Sequence, residues 1–137
     1  MRMRESNLAR QWDAASDAWA DFVRTGKDWT REYLNNPAMF RMLGNIRGKK
    51  VLDLGCGEGY NTRLMAKKGA RVTGVDFSKE MIKLAIAEEK KRSQGIDYIV
   101  SDAADLRKLQ NDSFDIVASF MALQDIEDYR GAIKETS

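Results

Sequence analysis

The sequence predicts an α/β domain built on a parallel sheet, and three observations carry that prediction. Short, β-branched apolar runs stand at Val51–Leu54, Val72–Val75, Tyr98–Ser101 and Phe114–Phe120. Segments with helical periodicity fill the intervals between the first three. The first run leads into a glycine-rich turn and the second into an aspartate, residue types that suit the ligand-binding carboxyl edge of such a sheet. Strands alternating with helices build right-handed βαβ units with helices covering the sheet.

From Leu8 to Phe22, Trp12, Ala15, Trp19 and Phe22 recur at helical spacing and predict one amphipathic helix. Asp28 to Met42 follows, polar and aromatic, with Trp29, Tyr33, Phe40 and the single proline, Pro37, which is expected to divide one turn of helix from the next. Gly44 to Lys50 reads as a connector into the first strand. Tyr60 to Lys68 and Ser78 to about Ser93 are the expected crossover helices, the second with Ser78 as N-cap. Ala103 to Asn111 leaves room for a short helix or a turn, and Asp125 to Glu135 starts another helix. The expected organisation is an N-terminal helical segment over 1–47 and a core over 48–137.

At 137 residues the chain suits one hydrophobic core rather than two ordinary domains. With 43% apolar and 32% charged residues it has the balance of a folded soluble protein. No apolar run approaches the roughly twenty residues that cross a bilayer, and the N-terminus lacks the apolar core of a secretory signal. A cytoplasmic location and no membrane partner are expected. The 23 basic and 21 acidic residues are intermixed, so no nucleic-acid partner is expected. One cysteine, Cys56, excludes an internal disulfide and a multi-cysteine zinc site. Histidine is absent, which removes the commonest general base and metal ligand, so no metal site is expected.

Gly55-Cys56-Gly57-Glu58-Gly59 sits where the first strand turns into the first crossover helix. Glycines there permit a tight turn and close approach of backbone to a ligand, while the N–H groups at the helix start favour a negative group. Asp76, after the second strand, is placed to accept hydrogen bonds from ribose hydroxyls, and Asp102 ends the third strand on the same edge. A purely structural turn would leave Asp53, inside an apolar strand, unexplained. Cys56 reads as a small packing residue between glycines, with nothing nearby to activate a thiolate.

The dinucleotide fingerprint is G-x-G-x-x-G, whereas here the glycines stand at 55, 57 and 59 with Tyr60 at the third position. The spacing opposes NAD. Val51-Leu52-Asp53-Leu54-Gly55-Cys56-Gly57-Glu58-Gly59 resembles instead the first motif of the class I S-adenosylmethionine-dependent methyltransferases, (V/I)LD(L/I)GCGxG. The resemblance continues through Gly74-Val75-Asp76-Phe77-Ser78 to Met81, through Ser101-Asp102-Ala103 and through Phe114-Asp115-Ile116-Val117. It implies a Rossmann-like sheet of family order 3-2-1-4-5-7-6, with S-adenosylmethionine as cofactor and S-adenosylhomocysteine as product. Residue by residue, it implies that Gly55, Gly57 and Gly59 line the methionine part, with Asp53 beneath them. Asp76 would bind the ribose, Phe77 and Met81 would pack on the adenine, and Asp102 and the Ala103 backbone would meet its polar edge. Ser119 and Phe120 would flank the methionine moiety. For Phe77, Met81 and Phe120, ordinary core packing is the alternative.

The implied reaction is in-line methyl transfer to a small-molecule acceptor, which a histidine-free site can promote by positioning. No catalytic base is assigned: Tyr33, Tyr60, Asp125 and Glu127 are candidates whose other role is packing, capping or solvation. The family often has histidine where this chain has Gln124, which makes that position a candidate acceptor contact without a histidine mechanism. Ser119-Phe120-Met121-Ala122 lacks the motif of enzymes that methylate nucleobase amines. Trp12, Trp19, Trp29 and Tyr33 resemble the helical lid of small-molecule members, and Trp19, Trp29 and Tyr33 are candidate acceptor contacts; packing of a helix face on the sheet is the alternative. Only four strands of the family sheet fall within the chain, so a truncated core is expected, with apolar surface around Ile116, Ala118 and Phe120 open to self-association. Two other functions stay open: a non-catalytic S-adenosylmethionine-binding module and an NAD-dependent oxidoreductase.

Overall fold

The computed structural model describes residues 7–102, 105–109 and 114–120. Parallel strands β1 (Lys50–Leu54), β2 (Arg71–Asp76), β3 (Asp97–Val100) and β4 (Ile116–Ala118) form one sheet in the order β3-β2-β1-β4. The predicted α/β class and parallel pairing are thus found. β1 lies between β2 and β4, and Val51 through Leu54 are all buried, as a central strand covered on both faces requires.

Alternation along β1 divides the core. Val51 packs with Val72, Ala118 and Met65 on one face, while Leu52 and Leu54 pack with Val75, Leu106 and Leu109 on the other. Helices α3 (Tyr60–Lys67) and α4 (Lys79–Lys91) make the crossovers from β1 to β2 and from β2 to β3. Both steps run the same way across the sheet, so right-handed connections place both helices on one face. On the opposite face, Leu106, just before a 3₁₀ turn at Arg107–Leu109, and Leu109 within it cover the sheet.

Helix α1 (Asn7–Arg24) packs against α4, but not through the stripe expected from its aromatics. Its buried residues are Ala9, Ser16, Ala20 and Val23, small side chains that let two helices approach closely. Ala15 and Phe22 are exposed, whereas Trp12 and Trp19 are half-buried and meet edge to face at 5.5 Å. The second helical segment also departs from expectation. Pro37 does not divide it: residues 29–43 are continuous, with a π-helical turn at Arg31–Asn35 followed by α2 (Asn36–Leu43). Proline in a regular helix collides with the carbonyl four residues earlier and leaves it without a donor, and a wider turn just before Pro37 relieves both conflicts.

β4 is shorter than the apolar run that announced it. Its pairing begins through Asp115, whose N–H donates to the Lys50 carbonyl at 2.8 Å while its side chain accepts from Lys50 N–H at 2.9 Å. Ala118 is buried, Ile116 and Phe120 pack half-buried against the core on the α2 and α3 side, and Val117 is 40% exposed. The helix expected from Asp125 lies outside the described residues. No described helix is long and apolar enough to cross a membrane.

Candidate functional site

The turn after β1 is fastened to β2. Gly55 and Cys56 N–H groups both donate to the Val75 carbonyl, at 2.8 and 3.0 Å. Beyond them, Gly57 and Gly59 have φ of 59° and 91°, in the left-handed region, yet they are needed for opposite reasons. A Cβ on Gly59 would stand 2.5 Å from the Tyr98 hydroxyl, so that glycine is required by packing. A Cβ on Gly57 would meet nothing within 4 Å, because Gly57 faces a cavity of about 570 Å³.

Asp76 joins this turn to the start of α4. Its Oδ2 accepts from Gly57 N–H and its Oδ1 from Ser78 N–H, both at 2.9 Å. Ser78 caps α4 as expected, its Oγ accepting from Met81 N–H at 3.2 Å. A further carboxylate reaches the same place from α1: Asp13 Oδ1 accepts from Ser78 Oγ and, at 3.1 Å, from Glu80 N–H.

Two buried carboxyls face the cavity with shifted acidity. Asp53, 1% exposed, accepts a hydrogen bond from Thr62 Oγ1 at 2.7 Å. Burial pushes its carboxyl up to about 7, against that bond and with a smaller push from Asp76. Burial likewise raises Asp76 to about 6, opposed by the N–H donors of Ser78 and Gly57. Burial also pushes the Cys56 thiol well up, which fits a packing residue rather than a nucleophile. Tyr60 is pushed up by burial and by Glu32, the wrong direction for a base.

The remaining walls come from the helices that precede the sheet. Trp12 and Trp19 contribute from α1, and Arg31, Asn36 and Met39 from the second helical segment. Arg31 lies over the Trp19 ring at 5.5 Å and donates through Nε to Asp28 at 3.0 Å. Asn36 Nδ2 donates to Asn61 Oδ1 at 2.9 Å, while Asn36 Oδ1 and Ser119 Oγ are buried with no hydrogen-bond partner among the described residues. Such orphaned atoms at a cavity wall, beside a glycine whose missing side chain leaves space, suit a polar ligand.

Residues 52–137 match the methyltransferase domain family. The chain belongs to that family. Among its methyltransferase relatives, the ubiquinone biosynthesis O-methyltransferase of Idiomarina loihiensis is 38% identical over 103 residues, covering 72% of this chain and 42% of that protein. The chain therefore spans about two fifths of the length of that relative. An S-adenosylmethionine-dependent methyltransferase structure from Mesorhizobium loti is 36% identical with a TM-score of 0.62, over 73% of this chain and 47% of the other. Magnesium protoporphyrin IX methyltransferase of Synechocystis PCC 6803, solved with bound S-adenosylmethionine, aligns over 99% of this chain and 73% of its own at a TM-score of 0.70. At 21% identity it speaks for the fold alone. The fold is that of the class I methyltransferases.

Within this methyltransferase fold, Asp53, Gly55, Gly57, Asp76, Phe77, Met81, Ser119 and Phe120 all reach the cavity wall, as does Trp19. Gly59 does not; it lies beneath the turn against Tyr98. Asp102 is exposed at the end of β3, outside the wall, and Ala103, Gln124, Asp125 and Glu127 lie outside the described residues. Trp29 and Tyr33 do not reach the wall. They are 73% and 72% exposed and pair with each other on the outer surface at 5.6 Å. Asp28, Arg31 and Asn35 hold the inward face of that helix, so residues 29 and 33, one turn apart, share the outward one.

Several site residues escaped sequence reasoning. Glu58 is 1% exposed within the glycine turn and receives guanidinium groups from both Arg24 and Arg63. Its place inside the motif was a signal; its partners were not visible. Thr62, Asn36, Asn61 and Arg31 carried no signal in a single sequence.

Proposed function

We propose that this chain binds S-adenosylmethionine and that its activity is methyl transfer to a small-molecule acceptor. The observation that carries the reading is Asp76, joined to Gly57 and Ser78 at the wall of a cavity between β-strand ends and helices. Its oxygens accept the Gly57 and Ser78 N–H groups, and a carboxylate's remaining acceptor capacity suits a ribose hydroxyl. Phe77 and Met81 flank the adenine, and Asp102 at the same sheet edge accepts from its amine. Gly57 admits the methionine part to the backbone. Asp53 and Arg31, of opposite charge, suit its amino and carboxylate groups, and Ser119 Oγ offers an unused hydrogen bond.

The bound sulfonium supplies an activated methyl group with a good leaving group. What the chain supplies is position: the acceptor atom must be held at about 3 Å, in line with the breaking bond. Trp12, Trp19 and Met39 form an apolar wall for that acceptor. The O-methyltransferase relatives support an acceptor that is a small molecule.

The test is calorimetric titration with S-adenosylhomocysteine, with NADH and adenosine as controls. Saturable binding selective for S-adenosylhomocysteine is expected, and its absence in a folded chain overturns the reading. Transfer of label from methyl-labelled S-adenosylmethionine to candidate acceptors then separates an enzyme from a binding module.

A further inference from the structure

The glycine turn contains its own conformational problem. Gly57 and Gly59 flank Glu58, and each lies in the left-handed region, so the peptide units that would face a ligand are joined through the most permissive residues available. A turn of this kind loses much freedom on binding unless something holds it beforehand. Glu58 is what holds it. Its Oε2 accepts from Arg24 Nε at 2.8 Å and from Arg63 Nη2 at 2.9 Å, and Arg24 Nη2 lies 2.7 Å away. Arg63 also donates to the Glu58 carbonyl at 2.7 Å. Arg63 is local, on α3, but Arg24 is the last residue of α1, which also reaches Glu88 of α4 at 3.4 Å.

A buried ion pair is weak evidence for stability, because desolvation offsets its Coulombic gain. Its firmer consequence is geometric. Resting on the reading above, we propose that Glu58 is a positioning residue, which through Arg24 lets α1 set the conformation of the turn that receives the methionine part of the cofactor.

Direct attraction between Glu58 and the ligand's ammonium group is the rival account, since Glu58 also reaches the cavity wall. Arg24→Ala separates the two by sign. It leaves the Glu58 charge in place and removes a positive one, so direct attraction predicts tighter binding of S-adenosylhomocysteine, whereas positioning predicts weaker binding. The affinity for S-adenosylhomocysteine should fall by about tenfold, while that for adenosine, which meets the turn only through the Asp76–Gly57 bond, should fall distinctly less. Arg24→Lys keeps the charge but loses the two-point fork, and should fall between. Thermal melts of each variant establish that it is folded. Unchanged or tighter binding of S-adenosylhomocysteine by both variants, or an equal loss for adenosine, overturns the proposal. Failure of the wild-type chain to bind S-adenosylhomocysteine instead overturns the functional reading on which it rests.

Discussion

The Asp76 carboxylate accepts the Gly57 N–H at 2.9 Å, so the end of β2 and the turn after β1 are one hydrogen-bonded unit before any ligand arrives. Asp76→Ala therefore removes a ligand contact and an internal brace together. Charge-assisted hydrogen bonds contribute roughly 1.5–3 kcal/mol each, so S-adenosylhomocysteine affinity should fall at least tenfold and the melting temperature should drop. Calorimetry and thermal melts measure the two effects. Unchanged affinity would remove Asp76 from the ribose site.

Gly57→Ala and Gly59→Ala should behave differently despite their shared backbone region. At Gly57 the added methyl enters open space, so stability should fall by only about 1–2 kcal/mol from backbone strain, while ligand binding is blocked. At Gly59 it collides with Tyr98, so the fold itself should suffer more. Adding Tyr98→Phe, which deletes the colliding oxygen, should recover part of that loss. Denaturant titrations of the two single variants and the Gly59→Ala, Tyr98→Phe double variant measure this.

The raised acidity of Asp53 and Asp76 gives stability a pH slope of definite sign. Both carboxyls titrate higher in the folded state, about 7 and about 6, than the usual value of 3.8. Between about pH 4 and pH 7 the folded chain binds more protons than the unfolded one, so stability is greatest at the acid end of that window and falls as pH rises. Glu88, held low first by Lys91, acts in the opposite direction but lies at the surface, where its share is small. Chemical denaturation at intervals across the window should show the decline, and Asp53→Asn should flatten it.

Binding at the same site should release protons. An ammonium group brought near Asp53 favours its ionised form, lowering the pKa from about 7. At neutral pH the calorimetric heat of S-adenosylhomocysteine binding should then vary with the ionisation enthalpy of the buffer, in the sense of proton release. A heat independent of buffer would separate Asp53 from the ligand's amino group.

Trp29 and Tyr33 supply a contrasting expectation. Both stand on the outer surface, so Trp29→Phe and Tyr33→Phe should leave S-adenosylhomocysteine affinity unchanged. Titration of both variants checks this, and a loss would place them nearer the ligand than the fold does.

How far the sequence can be read depends on the range of the interaction. That Asp53, Gly57 and Asp76 stand at one sheet edge is legible because each lies at or just beyond the carboxyl end of a strand, where periodicity and residue type agree. Glu58 was hidden because its partner Arg24 is 34 residues away at the end of α1. The outward position of Trp29 and Tyr33 was not legible, because aromatic identity says that a residue can pack, not which way its helix is turned. Trp12 and Trp19 were placed on a packing stripe for the same reason, while the contact with α4 went to Ser16 and Ala20.

The wide turn at Arg31–Asn35 makes the cavity-facing wall adjustable. Asp28 precedes this turn and Arg31 opens it, both facing the cavity, and the half that follows anchors Phe40 and Leu43 in the core. Removing one residue there would restore an ordinary helix and rotate the first half by about 100° relative to the second. Different side chains would then look inward without a single substitution, and the anchored half would stay where it is. Asn36 and Met39, on the anchored half, would keep their places on the wall, so the length of one turn decides whether Arg31 stands beside them.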